Sequence, residues 1–586
     1  VEQALAAVWA QVLGVERVGR NDNFFELGGD SILSLQIVAR LRNAGWKVTP
    51  RQLLERQAIA ELAAVTESVG NGSGAGREDG EHPAAQRAIP VLDAERRAGG
   101  LPLSHAQARQ WFLWQLAPSS IAYHIASGFR LTGELAVDVL RESFQGLVDR
   151  HESMRTVFQA RDDGMADQLI QSGWKIEVPL IDLSGFAAEE REAKARAQAL
   201  VLHQTPFDLC GEPLLRVALI RLAPAEHVLV VVMHHIVSDG WSMQLIVDEF
   251  AKRYQAGLRG EALALEALPL QYADYAVWQR EWLADGERER QLAYWREQLG
   301  GEQPVLRLPS DHPRLANADY TVAHSTAELP HALVEGLQRL AKANGATLFM
   351  SLLAAFNVLL HRHTGQEDIR IGMAVANRHR IGTEGIVGFF VNTLVLPGHV
   401  APRMRLAEVF LQTKEAALGA QLNQDLPFEQ LVDALQPERD MSQTPLFQVM
   451  VNHQKIQAKA ATDLPGLALQ EYALGERGAQ FELTLDLLED ERGGVHATLA
   501  YARELFEPVA MRRMLAHYLA VLQDLANNSQ RAVGDVVLMD AEERAQLAAW
   551  GTNALSYDGG EPVHALIGRQ VALRADAPAL VYGEES

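Results

Sequence analysis

Apolar residues at Val1, Leu5, Val8, Val12 and Leu13 recur at the helical period, so the chain opens in a helix. A second helical stretch runs from Ser31 to about Arg42, with Ile32, Leu35, Val38 and Leu41 on one face and Asp30 placed to cap it. Thr49 and Pro50 give the next start signal, a capping hydroxyl followed by a residue with no N–H to leave unpaired. Residues 1–65 therefore predict a small helix bundle. Between 66 and 100 the periodicity stops in "TESVGNGSGAGREDGEHPAAQRA". Too few large apolar side chains remain there to offset the entropy of ordering, so a flexible linker is expected.

From about Leu101 to Asp540 short apolar runs alternate with amphipathic ones. Strands are expected at 214–222, 227–233, 369–376, 391–396 and 446–453, and helices at 136–150, 187–203, 242–256, 331–344, 347–362 and 404–420. A mixed α/β pattern of this length predicts two lobes, taken as 101–275 and 276–540. Residues 541–586 are too short to make a domain.

One run carries more than packing. In "VLVVVMHHIVSDGWSMQLIV", residues 228–247, a buried strand ends on His234 and His235, followed by Asp239 and Gly240. Neighbouring side chains on a strand face opposite ways, so at most one of the two histidines enters a given cleft; one is expected to be structural and the other functional. Asp239 could orient an imidazole or pair with an arginine and hold the loop, and Gly240 permits backbone that other residues resist. Adjacent histidines rarely chelate one ion, and neither the HExxH spacing nor a GxSxG elbow is found, so metal and serine-hydrolase chemistry are set aside.

Composition narrows the partners. The 586 residues carry a net charge of -22, which argues against a nucleic-acid surface built from clustered basic residues. The single cysteine, Cys210, allows no intrachain disulfide. The longest apolar runs fall far short of the roughly 20 residues a membrane helix needs, and a cytoplasmic, monomeric protein without membrane contact is expected. Val1 already lies inside a helical pattern and "LVYGEES" stops in mid-pattern, so a piece of a longer protein is expected.

The stretch "DNFFELGGDSILSLQIVARLR" at 22–42 places Ser31 after two glycines at a helix start, where an attached phosphate would meet free backbone N–H groups; a plain cap is the alternative. The octet "FFELGGDS" resembles the carrier-protein motif of nonribosomal peptide synthetases. That resemblance covers residues 1–65 and implies a four-helix carrier with 4'-phosphopantetheine attached to Ser31. "MHHIVSDGWS" resembles the HHxxxDG motif of condensation domains. Further matches run in the family's order: "LSHAQARQWFLWQL", "RHESMRTVF", "YADYAVWQRE", "IGMAVANRHR", "VGFFVNTLVL" and "NQDLPFEQLV".

The resemblance implies two chloramphenicol-acetyltransferase-like α/β lobes in a V, with a tunnel in which two phosphopantetheine arms meet at His235. It also implies amide formation from a donor on Ser31 to the amine of a downstream carrier's aminoacyl thioester. Asp239 is then structural with Arg155 as its candidate ionic partner, and Asn392 lies at a strand end as a supporting residue. Implied partners are the downstream acceptor carrier, neighbouring synthetase domains and a phosphopantetheinyl transferase. Ser238 before Asp239 looks like domains that accept a D-configured donor, and the chain after about Asp540 resembles an adenylation-domain start. An epimerisation domain, a dual epimerisation and condensation domain, and a non-catalytic docking module share parts of this pattern.

Overall fold

The computed structural model describes residues 1–586 except 30, 69–87, 213, 315–319, 436–443, 456–463, 476–477, 491, 553–559 and 579–586, and except the side chains of 31, 32 and 35. Asp30, the expected cap, thus lies outside the described residues. The chain divides into two compact units, Val1–Val536 and Val537–Ser586.

The first unit begins with helices α1 (Glu2–Leu13), α2 (Ser31–Asn43), α3 (Pro50–Glu55) and α4 (Ile59–Ala63). Leu5, Trp9, Phe24, Leu41, Leu54 and Leu62 close a core between them. Thr49 caps α3 as the sequence predicts: its hydroxyl accepts the Gln52 N–H at 3.2 Å, and Gln52 Oε1 accepts the Thr49 N–H at 2.8 Å. The two glycines before Ser31 have separate reasons. Gly28 has φ +91, and a Cβ on Gly29 would lie 2.4 Å from the Phe24 ring. Gly29→Ala is therefore expected to destabilise this bundle by about 1–3 kcal/mol through overpacking, read as faster amide exchange in α1 and α2 of the full chain.

The stretch 66–100 expected to be a linker is ordered at its downstream end. Its residues 69–87 lie outside the described residues, but Ile89 and Leu92 are buried, and the Leu92 N–H donates to Asp274 Oδ1 at 2.8 Å. Two apolar side chains and one buried hydrogen bond suffice to fix that downstream end.

The remainder of the unit is built on two large sheets, with a small three-stranded sheet of Leu101–Pro102, Ala166–Ile170 and Thr156–Ala160 beside them. The first half contributes α5 (His105–Leu116), β1 (His124–Gly133), α6 (Val137–Arg150), β2 (Leu180–Asp182), α7 (Ala188–Gln204), β3 (Leu215–Ala223), β4 (Glu226–His234) and α8 (Gly240–Leu258). Then come α9 (Tyr272–Trp282), α10 (Arg288–Leu299), β5 (Val322–Glu328), α11 (His331–Ala343), α12 (Leu348–Thr364), β6 (Asp368–Val375), β7 (Asn392–His399), α13 (Leu406–Leu422) and α14 (Phe428–Leu435). The last elements of the unit are β8 (Val449–Lys455), β9 (Leu467–Glu471), β10 (Leu483–Glu489), β11 (Val495–Ala502) and α15 (Pro508–Asn527).

The five-stranded sheet has the order β9-β1-β4-β3-β2 and the six-stranded sheet β5-β11-β10-β8-β6-β7. Strand β4 lies between two antiparallel neighbours and is buried along nearly its whole length, which is why it reads as an unbroken apolar run. Strand β9 comes from late in the chain yet pairs antiparallel with β1, Leu467 opposite Gly133. The backbone there is so close that a Cβ on Gly133 would lie 2.0 Å from the Gly466 carbonyl oxygen.

Each predicted strand and helix of this region is found within a few residues of its expected ends. The strand expected from 446 begins at Val449 because Leu446 has φ +71, which no strand accommodates. The lobe boundary expected at 275/276 falls inside the buried helix α9, so the chain does not break there. In α12 the apolar residues run round every side, as they do in a helix buried all round. Among the described residues no single helix is long and apolar enough to cross a membrane.

The N-terminal bundle is seated on the six-stranded half. Glu26 pairs with Lys342, Arg51 with Glu415 at 3.4 Å, and Arg40 with Glu384 at 3.5 Å. Gln57 Nε2 donates to the Lys342 carbonyl at 2.9 Å. The Gly345 turn between α11 and α12, with φ +59, abuts the end of α3: a Cβ there would lie 3.2 Å from the Leu54 oxygen. The second unit holds α16 (Ala541–Gly551) and α17 (Val563–Leu573).

Candidate active site

Strand β4 ends on His234, and His235 opens the 3₁₀ turn that follows it. His234 is 4% exposed and faces the rings of His124 and Phe207, at 6.2 and 6.1 Å between centroids. Its Nδ1 accepts the Ile236 N–H at 3.1 Å, closing the 3₁₀ turn His235–Val237. Burial, then the neighbouring His124 and His235, pulls the His234 pKa down to about 3, so the ring stays neutral at physiological pH. It is a packing and turn-forming residue.

His235 is only half-buried. Its N–H donates to the Tyr123 carbonyl at 2.9 Å. Its Nδ1 lies 2.9 Å from the Ser238 carbonyl oxygen, which can only accept. The proton therefore sits on Nδ1, and Nε2 presents a lone pair. The ring stands edge-on to Phe389 at 5.1 Å. Burial lowers its pKa; the charge of Asp239 and the Ser238 carbonyl oppose that shift without cancelling it. A neutral, oriented imidazole with one free nitrogen is suited to accept a proton.

Asp239 is completely buried and caps α8. Oδ1 accepts the Ser242 N–H at 2.8 Å and the Ser242 hydroxyl at 2.7 Å, and Oδ2 accepts the Phe390 N–H at 3.0 Å. Its ionic partner is Arg378, whose Nη2 lies 3.0 and 3.2 Å from the two carboxylate oxygens. Arg155, the partner expected from the sequence, is elsewhere: it donates to the Gln171 carbonyl at 3.1 Å and faces Glu152 at 3.9 Å. Arg378 takes the role because it is enclosed with Asp239, its guanidinium stacked 4.1 Å over the Phe390 ring and donating also to the Thr383, Ile386 and Gly388 carbonyls. The two partners are 139 positions apart, but the basic cluster after the strand ending at Val375 is a signal that could have found it.

Gly240 also differs from expectation. It does not have a positive φ, and a Cβ built on it meets nothing within 4 Å. Glycine is not needed there for backbone freedom; it leaves clear space at the exposed start of α8. The true close approach is at Gly388, where a Cβ would lie 2.0 Å from the Tyr272 ring.

Asn392 opens β7 and spends its whole amide on the neighbouring loop. Nδ2 donates to the Gln424 and Leu426 carbonyls, both at 2.8 Å, and Oδ1 accepts the Phe428 N–H at 3.1 Å. Asn392→Ala is expected to cost about 1–3 kcal/mol by leaving those backbone groups unpaired, measurable as a lower urea midpoint for the full chain. A narrow cavity bordered by Phe389, Phe390, Asn377, Gln279 and Pro427 lies beside this residue.

Ser31 is the first residue of α2, where first-turn N–H groups have no intrahelical acceptor. The tight Gly28–Gly29 turn brings the chain to that point, and Lys455 Nζ reaches the Gly28 carbonyl at 3.4 Å. A phosphate ester on this serine fits the local charge and hydrogen-bond balance.

Comparison with known proteins agrees with both sites. A family model described as "Phosphopantetheine attachment site" matches residues 3–65, and one described as "Condensation domain" matches residues 97–548. A linear gramicidin synthase subunit of Brevibacillus parabrevis is 40% identical over 589 residues, covering 100% of this chain and 11% of that protein. Malpinin synthetase of Mortierella alpina is 34% identical, covering 100% of this chain and 7% of that protein. The chain thus spans about a tenth of the length of the curated relatives it matches. Among solved structures, the complex of the X-domain and OxyB from teicoplanin biosynthesis aligns with TM-score 0.68 and 26% identity, over 78% of this chain and 98% of that one. Holo-AB3403, a four-domain nonribosomal peptide synthetase, aligns with TM-score 0.69 and 24% identity over 82% of this chain and 37% of that one, a likeness of fold. With a serine-bearing helix start ahead of it and a strand that leads into an oriented imidazole, the chain belongs to the condensation-domain family of nonribosomal peptide synthetases, preceded by a phosphopantetheine attachment domain.

Proposed function

We propose that the chain forms a peptide bond between a donor held on Ser31 and the amino group of an aminoacyl thioester on a downstream carrier. The arm on Ser31 supplies a flexible thioester. The amine nitrogen attacks the donor carbonyl, the C–N bond forms and the C–S bond breaks. The thiol leaves on the donor arm, and the proton lost by the amine passes to the released sulfur. His235 Nε2 accepts a hydrogen bond from the amine and takes that proton in the transition state. The free lone pair of Nε2, fixed by the Nδ1 contact to Ser238, carries this reading.

On this reading Glu2–Ala63 is a four-helix carrier, the two sheets are the lobes of a V-shaped domain, and the arms meet in a tunnel beside His235. Asp239, Arg378 and Asn392 hold the walls. Residues 541–586 lead toward an adenylation domain, and a phosphopantetheinyl transferase modifies Ser31. We read Ser238 as marking a D-configured donor terminus. Its hydroxyl is buried without a hydrogen-bond partner among the described residues, and its backbone carbonyl orients His235.

The test is intact mass spectrometry of the full chain, loaded on Ser31 and offered a loaded downstream carrier, with chiral analysis of the released dipeptide. A new amide is the expected result. Inversion of the donor without amide would favour an epimerisation domain, and neither product would leave a docking module.

A further inference from the structure

We infer that Glu384 is a positioning residue, linking the seating of the carrier to the order of the loop that faces His235. This rests on the proposed function, and on three contacts made by one residue. The loop between Arg378 and Val391 joins β6 to β7 and is wound around the Arg378 guanidinium, which holds the loop's own carbonyls at Thr383, Ile386 and Gly388. Its inner end is pinned to the site: the Phe390 N–H donates to Asp239, and the Phe389 ring meets His235.

Glu384 stands at its outer end. One carboxylate oxygen accepts the Gly382 N–H at 2.8 Å, and the other faces Arg40 Nη2 at 3.5 Å. Arg40 belongs to α2, the helix that Ser31 opens. The Glu384 carbonyl accepts the Trp241 Nε1–H at 3.0 Å, and Trp241 follows directly on Asp239 and Gly240. The Trp241 ring in turn lies 5.9 Å beneath the Arg378 guanidinium. One residue therefore holds the carrier with its carboxylate and the histidine's surroundings with its backbone.

Both side chains of the Arg40–Glu384 pair are 26% exposed, so salt screens the pair less than it would a fully exposed one. Seating Arg40 neutralises Glu384 and favours the wound form of the loop. By linkage, the wound loop favours the seated carrier to the same degree. A carrier that swings away loosens the walls of the site it has left.

The experiment uses the full chain with Arg40→Glu and Arg40→Lys. The first readout is amide hydrogen exchange in segment 383–390, which needs no activity. The second is amide formation from a free acyl-pantetheine thioester with Ser31 unloaded, so that delivery by the carrier plays no part. Arg40→Glu is expected to speed exchange and slow free-thioester transfer by up to about fivefold, the range a single partly exposed ion pair supplies. Arg40→Lys is expected to restore both. Unchanged exchange in Arg40→Glu would overturn the link, as would transfer that falls only when the donor rides on Ser31. If wild-type chain forms no amide while exchange still responds to Arg40→Glu, the link stands and the proposed reaction fails.

Discussion

His235→Ala is expected to slow amide formation by about 10²- to 10⁴-fold, the span that general-base catalysis covers, while the contacts of Glu26, Arg40 and Arg51 with the six-stranded half persist. The range has a physical ceiling. An α-amino group has a reference pKa near about 7.7–8.0, so an appreciable fraction is already neutral near pH 7. Holding two tethered reactants together can supply more than proton removal does. A loss far above 10⁴-fold would mean that His235 shapes the binding of one arm as well as the proton transfer. Because burial lowers the His235 pKa below its ordinary value, Nε2 is free at neutral pH. In a single-turnover pH profile, wild type and His235→Ala share the fall caused by protonation of the amine, and a further fall at the lowered histidine value belongs to the wild type alone.

Arg378→Ala is expected to cost about 3–5 kcal/mol of folding stability, because it strands the Asp239 carboxylate in a fully enclosed position. Asp239 retains the Ser242 and Phe390 donors in that variant, which places the loss toward the lower end of the range. Removing both charges, as Arg378→Met with Asp239→Asn, is expected to recover part of the loss, since no buried charge is then left unpaired. Urea unfolding of the full chain, followed by tryptophan fluorescence, measures both. A loss under about 1 kcal/mol for Arg378→Ala would show that the pair is reached by water, contrary to its 1% and 0% side-chain exposure.

The parts of this protein legible from sequence are those fixed by local spacing. The apolar run into His234 announces β4, and the expectation that only one of the adjacent histidines is structural agrees with a buried His234 beside a half-buried His235. Thr49-Pro50 announces α3. Helix α8 begins earlier than its apolar pattern because the Asp239 side chain, not periodicity, starts it. Helix α15 is absent from the expected helices although Pro508 marks its first position.

Pairings made in space are beyond the reach of local spacing. Arg155 attracts attention as an arginine within a matched motif, yet Arg378, arriving from another strand end, is the residue enclosed with Asp239. Gly240 suggests a backbone necessity, whereas Gly388, whose neighbour Tyr272 lies 116 residues upstream, is the glycine that close packing demands. The downstream end of the linker escapes local spacing for a related reason: Ile89 and Leu92 are too few to predict order, but they find a ready surface in the cluster around Tyr272 and Trp278 and in Asp274.

The pairing of β9 with β1 bears on how such chains can be cut and rejoined. A strand laid down after most of the second half has been made completes the edge of a sheet begun in the first, so the first half alone does not carry a finished hydrogen-bond ladder. A recombinant joined between α8 and β5 would mate one parent's β1 with another's β9, across a contact where Gly133 has no room for a side chain against the Gly466 carbonyl. Exchange of lobes between relatives is therefore constrained by the register of a strand far from the splice, and successful chimaeras will move β9 together with β1.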